Sequence, residues 1–448
     1  MDSALLASLW AVTTDNAKNN KTMVDSINEK LPNALQEHLQ ASMPSSAREA
    51  DVDHQREEPQ NVFQVRCLAH VLQLGVKAGL TECPYVDTSI GKVRDVLRKL
   101  ADSPSLSEAL QAVCAALNVP FREPELDCVT RWNSTWGMVV STIKLKKPIE
   151  ELLRRIRDRH EGYSDLSIAP DSHLAAEIGE DTWEALGEFC KFLTPVKAAT
   201  TMMSGKNYPT FGMAVVVYEL ISMHTNKSIE EATSQYTADF ATAFQNKLED
   251  YSDIVNNREA KIAAVLDPRA KLLLPKFVGD MSVIKRYVRD EYEAQYRAKF
   301  ESQHQTLEPQ MNQHEEQDVA LGIALYQLID DTFGADEPAT HAGESFASEL
   351  DRWLGHRDHT MTTKTKSEEV CAWMHNLQGF PRIKMMARDF LAVMATSVPS
   401  EQAFSAAGNT VSIRRARLGD DAVSAVSEMQ SFLKFNEATA KLGRSAIH

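Results

Sequence analysis

Four short stretches carry residue types that could do chemistry. The first is Trp10-Ala11-Val12-Thr13-Thr14-Asp15-Asn16, a run rich in β-branched residues that ends on a carboxylate. A carboxylate at the carboxyl end of a strand, followed by a polar turn and a helix, stands where α/β folds place chemistry. The same residues also make an ordinary Asx-turn or N-cap. The second is Cys67-Leu68-Ala69-His70. As a zinc half-site it lacks a second pair at finger spacing, and structural zinc takes four ligands, which leaves a buried Cys and a helix-facing His as the plainer reading. The third is Asp127 to Val139, with Arg131 beside Trp132. An Arg next to a Trp can hold a phosphate and stack on a base, or the Trp can anchor a loop in the core. The fourth is Thr396-Ser397-Val398-Pro399-Ser400-Glu401. Here Thr396 or Ser397 can cap a helix whose first turn carries Glu401, where a carboxylate sits well on the helix dipole.

The elements that must position these residues are mostly helical. A strand is expected over Trp10–Thr14 with a helical pattern from Asn20 to Leu31, and a second strand over Val62–Cys67 runs into a helix whose Leu68, Val71, Leu72 and Val76 share a face. Residues 36–60 are polar and charge-rich, a solvated or disordered loop by composition. Residues 85–118 are helical. The stretch 138–370 reads as all-helical, with amphipathic segments at 139–159, 174–203, 210–226, 231–250, 282–300 and 316–332. From Phe380 to Phe435 three helices are expected. Met385, Met386, Phe390 and Leu391 form one stripe, Phe404, Ala407 and Val411 a second, and Val423, Val426, Met429, Phe432 and Leu433 a third. Pro381 and Pro399 stand at helix starts.

Totals narrow the classes. The chain has 448 residues, so two or more subdomains are expected. Apolar content of 43% and charged content of 25% are ordinary for a soluble globular protein, and no apolar run is long enough to cross a membrane. Six scattered cysteines point to reduced thiols rather than a disulfide framework. A net charge of −15 argues against DNA binding driven by the overall field. Local basic runs remain at Lys144–Lys147, Arg154–Arg159 and Arg414–Arg417, and such runs are more often solvated helix faces.

Read together, these blocks resemble the hAT transposase superfamily (hobo, Activator, Tam3). Ala-Thr-Ser-Val-Pro-Ser-Glu-Gln-Ala-Phe-Ser-Ala-Ala-Gly-Asn from Ala395, then Arg-Arg-Ala-Arg-Leu and an amphipathic helix, is similar to that family's C-terminal dimerisation region. Thr-Thr-Asp-Asn-Ala-Lys-Asn-Asn, Arg-Cys-Leu-Ala-His, Val-Thr-Arg-Trp-Asn-Ser-Thr-Trp and Ala-Ala-Val-Leu-Asp-Pro-Arg-Ala-Lys resemble further family blocks in order. The resemblance implies a mainly α fold: a vestigial RNase H-like α/β core, interrupted by a large all-helical insertion. The implied division is 1–137 for the partial core, 138–370 for the insertion and 371–440 for the dimerisation region that completes the core.

The resemblance also implies roles. Asp15 matches the second and Glu401 the third acidic residue of a catalytic triad that holds two divalent metals, Mg²⁺ or Mn²⁺, in family nucleases. The residues that would carry the first acid, and a BED-type zinc finger, would precede this sequence. The expectation is therefore a transposase-derived protein inactive as a nuclease, with a metal-dependent DNA transposase from an incomplete gene model as the alternative. His70, Arg131 and Trp132 are implied nucleic-acid contacts, with Trp132 meeting a flipped base. Phe390, Phe404, Val423, Val426, Phe432 and Leu433 are implied dimer contacts, although the same stripes would serve an intramolecular core. The implied partners are a second copy or a related hAT protein, and DNA. No membrane and no small-molecule substrate are expected, and the implied location is the nucleus.

Overall fold

The computed structural model describes residues 10–16, 19–30, 62–123, 125–128, 131–163, 166, 178–205, 208–305, 345–356, 369–398 and 400–401. They are mainly α-helical, as the residue pattern requires. The chain divides into two compact units: Met1–Cys67 with Ser204–Asn207 and Met394–His448, and Leu68–Met203 with Tyr208–Val393.

In the first unit, β1 (Ala11–Thr14) and β2 (Phe63–Arg66) pair in parallel, Ala11 opposite Phe63 and Thr14 opposite Arg66. Among the described residues these are the two strands of the sheet. A parallel pair needs a crossover, and the helix over 19–30 (α1) lies in it. The Asn28 amide brackets the start of β2: its Nδ2 donates to Val62 O at 3.0 Å and its Oδ1 accepts from Val62 N at 2.8 Å. Trp10 meets Phe63 edge-on at 4.9 Å between centroids, a favourable cross-strand aromatic pair. Two strands alone are marginal, so these side-chain ties matter to the unit.

The second unit is all helix in its described residues. Its first half contains α2 (Leu68–Glu82), α3 (Pro84–Asp102), α4 (Pro104–Ala116), α5 (Trp132–Lys144), α6 (Lys146–Arg157), α7 (Glu180–Met203), α8 (Ala214–Glu230) and α9 (Gln235–Glu249). Pro84 and Pro104 open their helices, where a missing N–H costs nothing. Gly75 and Gly79, one turn apart on α2, make a groove for two rings of α9. A Cβ on Gly75 would stand 2.8 Å from the Phe244 ring, and one on Gly79 2.7 Å from Phe240. Those rings join Phe189 and Phe192 in edge-to-face contacts of 5.3 to 5.7 Å, the centre of this half of the core.

The other half contains α10 (Arg258–Leu266), α11 (Met281–Glu291), a π-helical turn (Tyr292–Tyr296), α12 (Arg297–Gln305), α13 (Phe346–Gly355), α14 (Glu369–Asn376) and α15 (Pro381–Ala392). Tyr292 stacks on Phe346 at 4.0 Å. Trp353, fully buried, donates from Nε1 to Val265 O at 2.8 Å and so pins α13 to α10.

Two of the expected amphipathic segments are interrupted. The stretch 139–159 is not one helix: it is the end of α5 and all of α6, with a break at Leu145. Pro148 is the reason. In a continuous helix it would have to donate a backbone bond that it lacks, whereas three residues into a new helix that donor is unpaired anyway. The stretch 282–300 is helical but passes through the π turn, which an apolar pattern cannot reveal. The amphipathic segment 316–332, and the second and third C-terminal stripes, lie outside the described residues.

Candidate functional site

The first unit brings the neighbourhoods of Asp15 and Glu401 together. Asp15 follows the last residue of β1, and Asn20 Nδ2 bonds both its main-chain oxygen, at 3.2 Å, and its Oδ1. The segment leading to Glu401 is tied to the same strands. Thr13 Oγ1 donates to Met394 O at 2.6 Å, and the Cys67 thiol, just past β2, lies 3.5 Å from Thr396 Oγ1. Thr396 Oγ1 accepts from Val398 N at 3.2 Å, and Ser397 Oγ donates to Glu401 Oε1 at 2.6 Å. Both residues named from sequence as caps thus act at this helix start, and Glu401 itself is exposed.

A two-metal centre takes a set of carboxylates. Among the described residues no group of three or more His, Cys, Asp or Glu is placed to hold a metal ion. Asp15 and Glu401 carry carboxylate oxygens of the chemistry that Mg²⁺ or Mn²⁺ takes, and two carboxylates are fewer than a two-metal set uses.

Arg131, Trp132 and His70 lie in the second unit. Arg131 is the N-cap of α5 and Trp132 its first residue, so the block read as a loop with an anchoring Trp opens a helix. The arrangement rests on Asp127, whose side chain is 1% exposed. It accepts from Arg94 Nε at 2.8 Å and Nη2 at 2.7 Å, and from Thr135 Oγ1 at 2.6 Å. The Arg94 hydrogen bond holds the Asp127 carboxyl below its ordinary 3.8, and burial opposes this without reversing it. Arg131 is exposed, while Trp132 is buried at 8%. The Trp132 ring is therefore an anchor in this fold, one of the two roles its type allows. His70 is half-buried, in the first turn of α2.

The basic runs within the described residues are spent in part on carboxylates. Lys146 meets Glu180 at 2.6 Å, and Arg154 and Arg155 meet Glu151 at 2.9 and 2.7 Å. Those two arginines pull the Glu151 carboxyl down to about 2. This is a solvated, self-neutralised helix face. The run Arg414–Arg417 lies outside the described residues.

The C-terminal stripes divide. Phe390 is 1% exposed, and Ile383, Met386 and Ala387 are buried with it in the core of the second unit. Phe404, Val423, Val426, Phe432 and Leu433 lie outside the described residues. Two features here were missed in the sequence. Glu349, fully buried, accepts from Arg382 N, Ile383 N and Arg382 Nη1 at 2.9, 3.0 and 2.9 Å. Lys271, 4% exposed, donates to Trp353 O at 2.8 Å and stands 3.3 Å over the Trp353 ring. Only the second had a signal: Lys271 ends the Leu-Asp-Pro-Arg-Ala-Lys block. In that block Asp267 is buried and bonded by Arg269, whose Nη2 also reaches Pro209 O at 2.8 Å, a structural turn.

Comparison with known proteins gives two family matches. The family model of the hAT family C-terminal dimerisation region matches residues 349–433, and that of the ZBED1 RNase-like helical domain matches residues 65–173. The chain is similar to AC transposase of Zea mays, 24% identical across 93% of this chain and 48% of that protein. It is similar to the zinc finger BED domain-containing proteins RICESLEEPER 2 of Oryza sativa subsp. japonica (23%, 84% of this chain, 52% of that protein) and DAYSLEEPER of Arabidopsis thaliana (24%, 64% and 38%). The two matched regions, 65–173 and 349–433, support kinship with hAT-family transposase-like proteins. It spans about half the length of the curated relatives it matches.

Proposed function

We propose that this chain is transposase-derived and acts by association, with a second copy or a related hAT protein and with DNA, rather than by cutting DNA. The observation that carries the reading is the dimerisation-region match over 349–433. The described part of that region already packs into its own chain through Glu349, Trp353 and Phe390. The contact surface is then the stripe of Phe404, Val423, Val426, Phe432 and Leu433, whose helical spacing supplies a continuous apolar face. Arg131 is the nucleic-acid contact best placed by exposure, with Trp132 behind it as its anchor and His70 as a further candidate. The RNase H-like reading of the first unit is supported by its parallel β1–β2 pair with Asp15 at the strand end. The nucleus is the location that fits a DNA-associating protein of this family. No helix among the described residues is long and apolar enough to cross a membrane.

Two measurements test the reading. Sedimentation equilibrium should give twice the chain mass, and a monomer at every concentration would contradict association. Supercoiled DNA incubated with the chain and Mg²⁺ or Mn²⁺ should stay intact. Nicking abolished by Asp15→Asn or Glu401→Gln would instead establish the nuclease, with those two residues as its ligands.

A further inference from the structure

Hydrogen bonds hold the Arg131 backbone on both sides. Arg131 N donates to Cys128 O at 2.8 Å. Ser134 Oγ accepts from Cys128 N at 3.0 Å and donates to Arg131 O at 2.6 Å. Asp127, next to Cys128, is tied to Thr135 in the first turn of α5, and it is itself held by two nitrogens of Arg94. The Arg131 guanidinium is the exception. It is exposed, and among the described residues it makes no hydrogen bond and no ion pair. Arg94, in the same arrangement, is by contrast bonded to a carboxylate.

We propose that Asp127 and Arg94 are positioning residues, whose buried bidentate pair holds Arg131 outward as an uncompensated cation for a nucleic-acid phosphate. The proposal deepens, and rests on, the nucleic-acid reading of Arg131. The physical argument concerns preorganisation. A guanidinium on a free residue must be ordered when it binds, and that ordering reduces affinity; one whose own N–H and C=O are both bonded has its backbone already fixed. In a chain of net charge −15, a cation gains most where no carboxylate of its own competes for it. Asp127 supplies the tie to α5 while its negative charge is neutralised by Arg94 and shielded at 1% exposure. The start of α5 is therefore held by an acid whose charge is not offered to the phosphate.

The test uses the full chain, a fluorescein-labelled single-stranded oligodeoxynucleotide and fluorescence anisotropy, with circular dichroism melts of every variant. Arg131→Ala should weaken binding roughly three- to tenfold, the loss of one charge-assisted contact, and lower the salt slope by about 0.7. Asp127→Asn should weaken binding to a similar degree at a temperature where its helix signal is intact. Adding Asp127→Asn to Arg131→Ala should cost no further affinity, because the acid acts through the arginine. Arg94→Lys, which keeps the charge but loses the bidentate fork, should fall between wild type and Asp127→Asn, and it serves in place of Asp127→Asn if that variant does not fold. Additive losses in the double variant, or wild-type binding by both Asp127→Asn and Arg94→Lys, would overturn the positioning role and leave Arg131 as a contact. Wild-type binding by Arg131→Ala would overturn the contact and the positioning role together.

Discussion

Glu349 Oε1 accepts the backbone N–H of Ile383 at 3.0 Å, so a fully buried carboxylate caps the helix on which Phe390 lies. The neighbouring N–H of Arg382 and its guanidinium bond the same side chain. The first residue of the matched dimerisation region is thereby joined to a helix within it, inside one chain. The acid sits at the positive end of the helix dipole, where a carboxylate is favourable.

Glu349→Ala should cost about 3–5 kcal/mol, because it leaves the Arg382 charge and two helix N–H groups without their acceptor. Glu349→Gln, which keeps one acceptor oxygen, should cost less. Urea denaturation followed by circular dichroism orders the two. Equal and small effects would mean that water replaces the carboxylate.

Gly75→Ala should destabilise by about 1–3 kcal/mol, since the new methyl meets the Phe244 ring in a filled core. A Gly-to-Ala change in an open helix face would have the opposite sign, because alanine is the better helix former. Gly91, whose added Cβ would meet nothing, supplies that control. Thermal melts of the two variants should move in opposite directions.

The Asp127 carboxyl titrates below its ordinary 3.8 in the folded chain. A group depressed by folding adds stability that is complete above its unfolded value and is lost as pH falls through its folded value. The unfolding free energy should therefore drop as pH is lowered below about 4, and Asp127→Asn should remove that part of the slope while lowering stability at neutral pH. Urea titrations at pH 7, 4 and 3 read the difference. Parallel slopes in the two proteins would show that Asp127 is not ionised differently on folding.

Local signals were legible and long-range ones were not. The strand at Ala11–Thr14 could be read because a β-branched run ends in polar turn residues. The start of α15 could be read because Pro381 favours a first helical turn, whereas the break at Ser103 between α3 and α4 was not read within 85–118. The caps at Thr396 and Ser397 were visible for the same local reason. The partners of Glu349 lie 33 and 34 residues away and that of Lys271 82, and single-residue chemistry does not announce a partner at that distance. Phe390 shows the limit from the other side. Its helical stripe is plain, but a stripe that buries itself in its own chain and one that buries itself in a partner have the same period. Trp132 is similar, since an aromatic beside an arginine fits a base or a core equally well.

The most direct test of self-association through the C-terminal stripe is the mass of the full chain in solution. Light scattering should compare wild type with Val426→Asp/Phe432→Asp, each at matched concentration and with matched far-ultraviolet spectra. Cutting the chain after residue 379 would not serve, because it removes Phe390, Met386 and Ile383 from the second unit's core. The account predicts a dimer for wild type and a folded monomer for the double variant. Equal masses for the two folded proteins would contradict it.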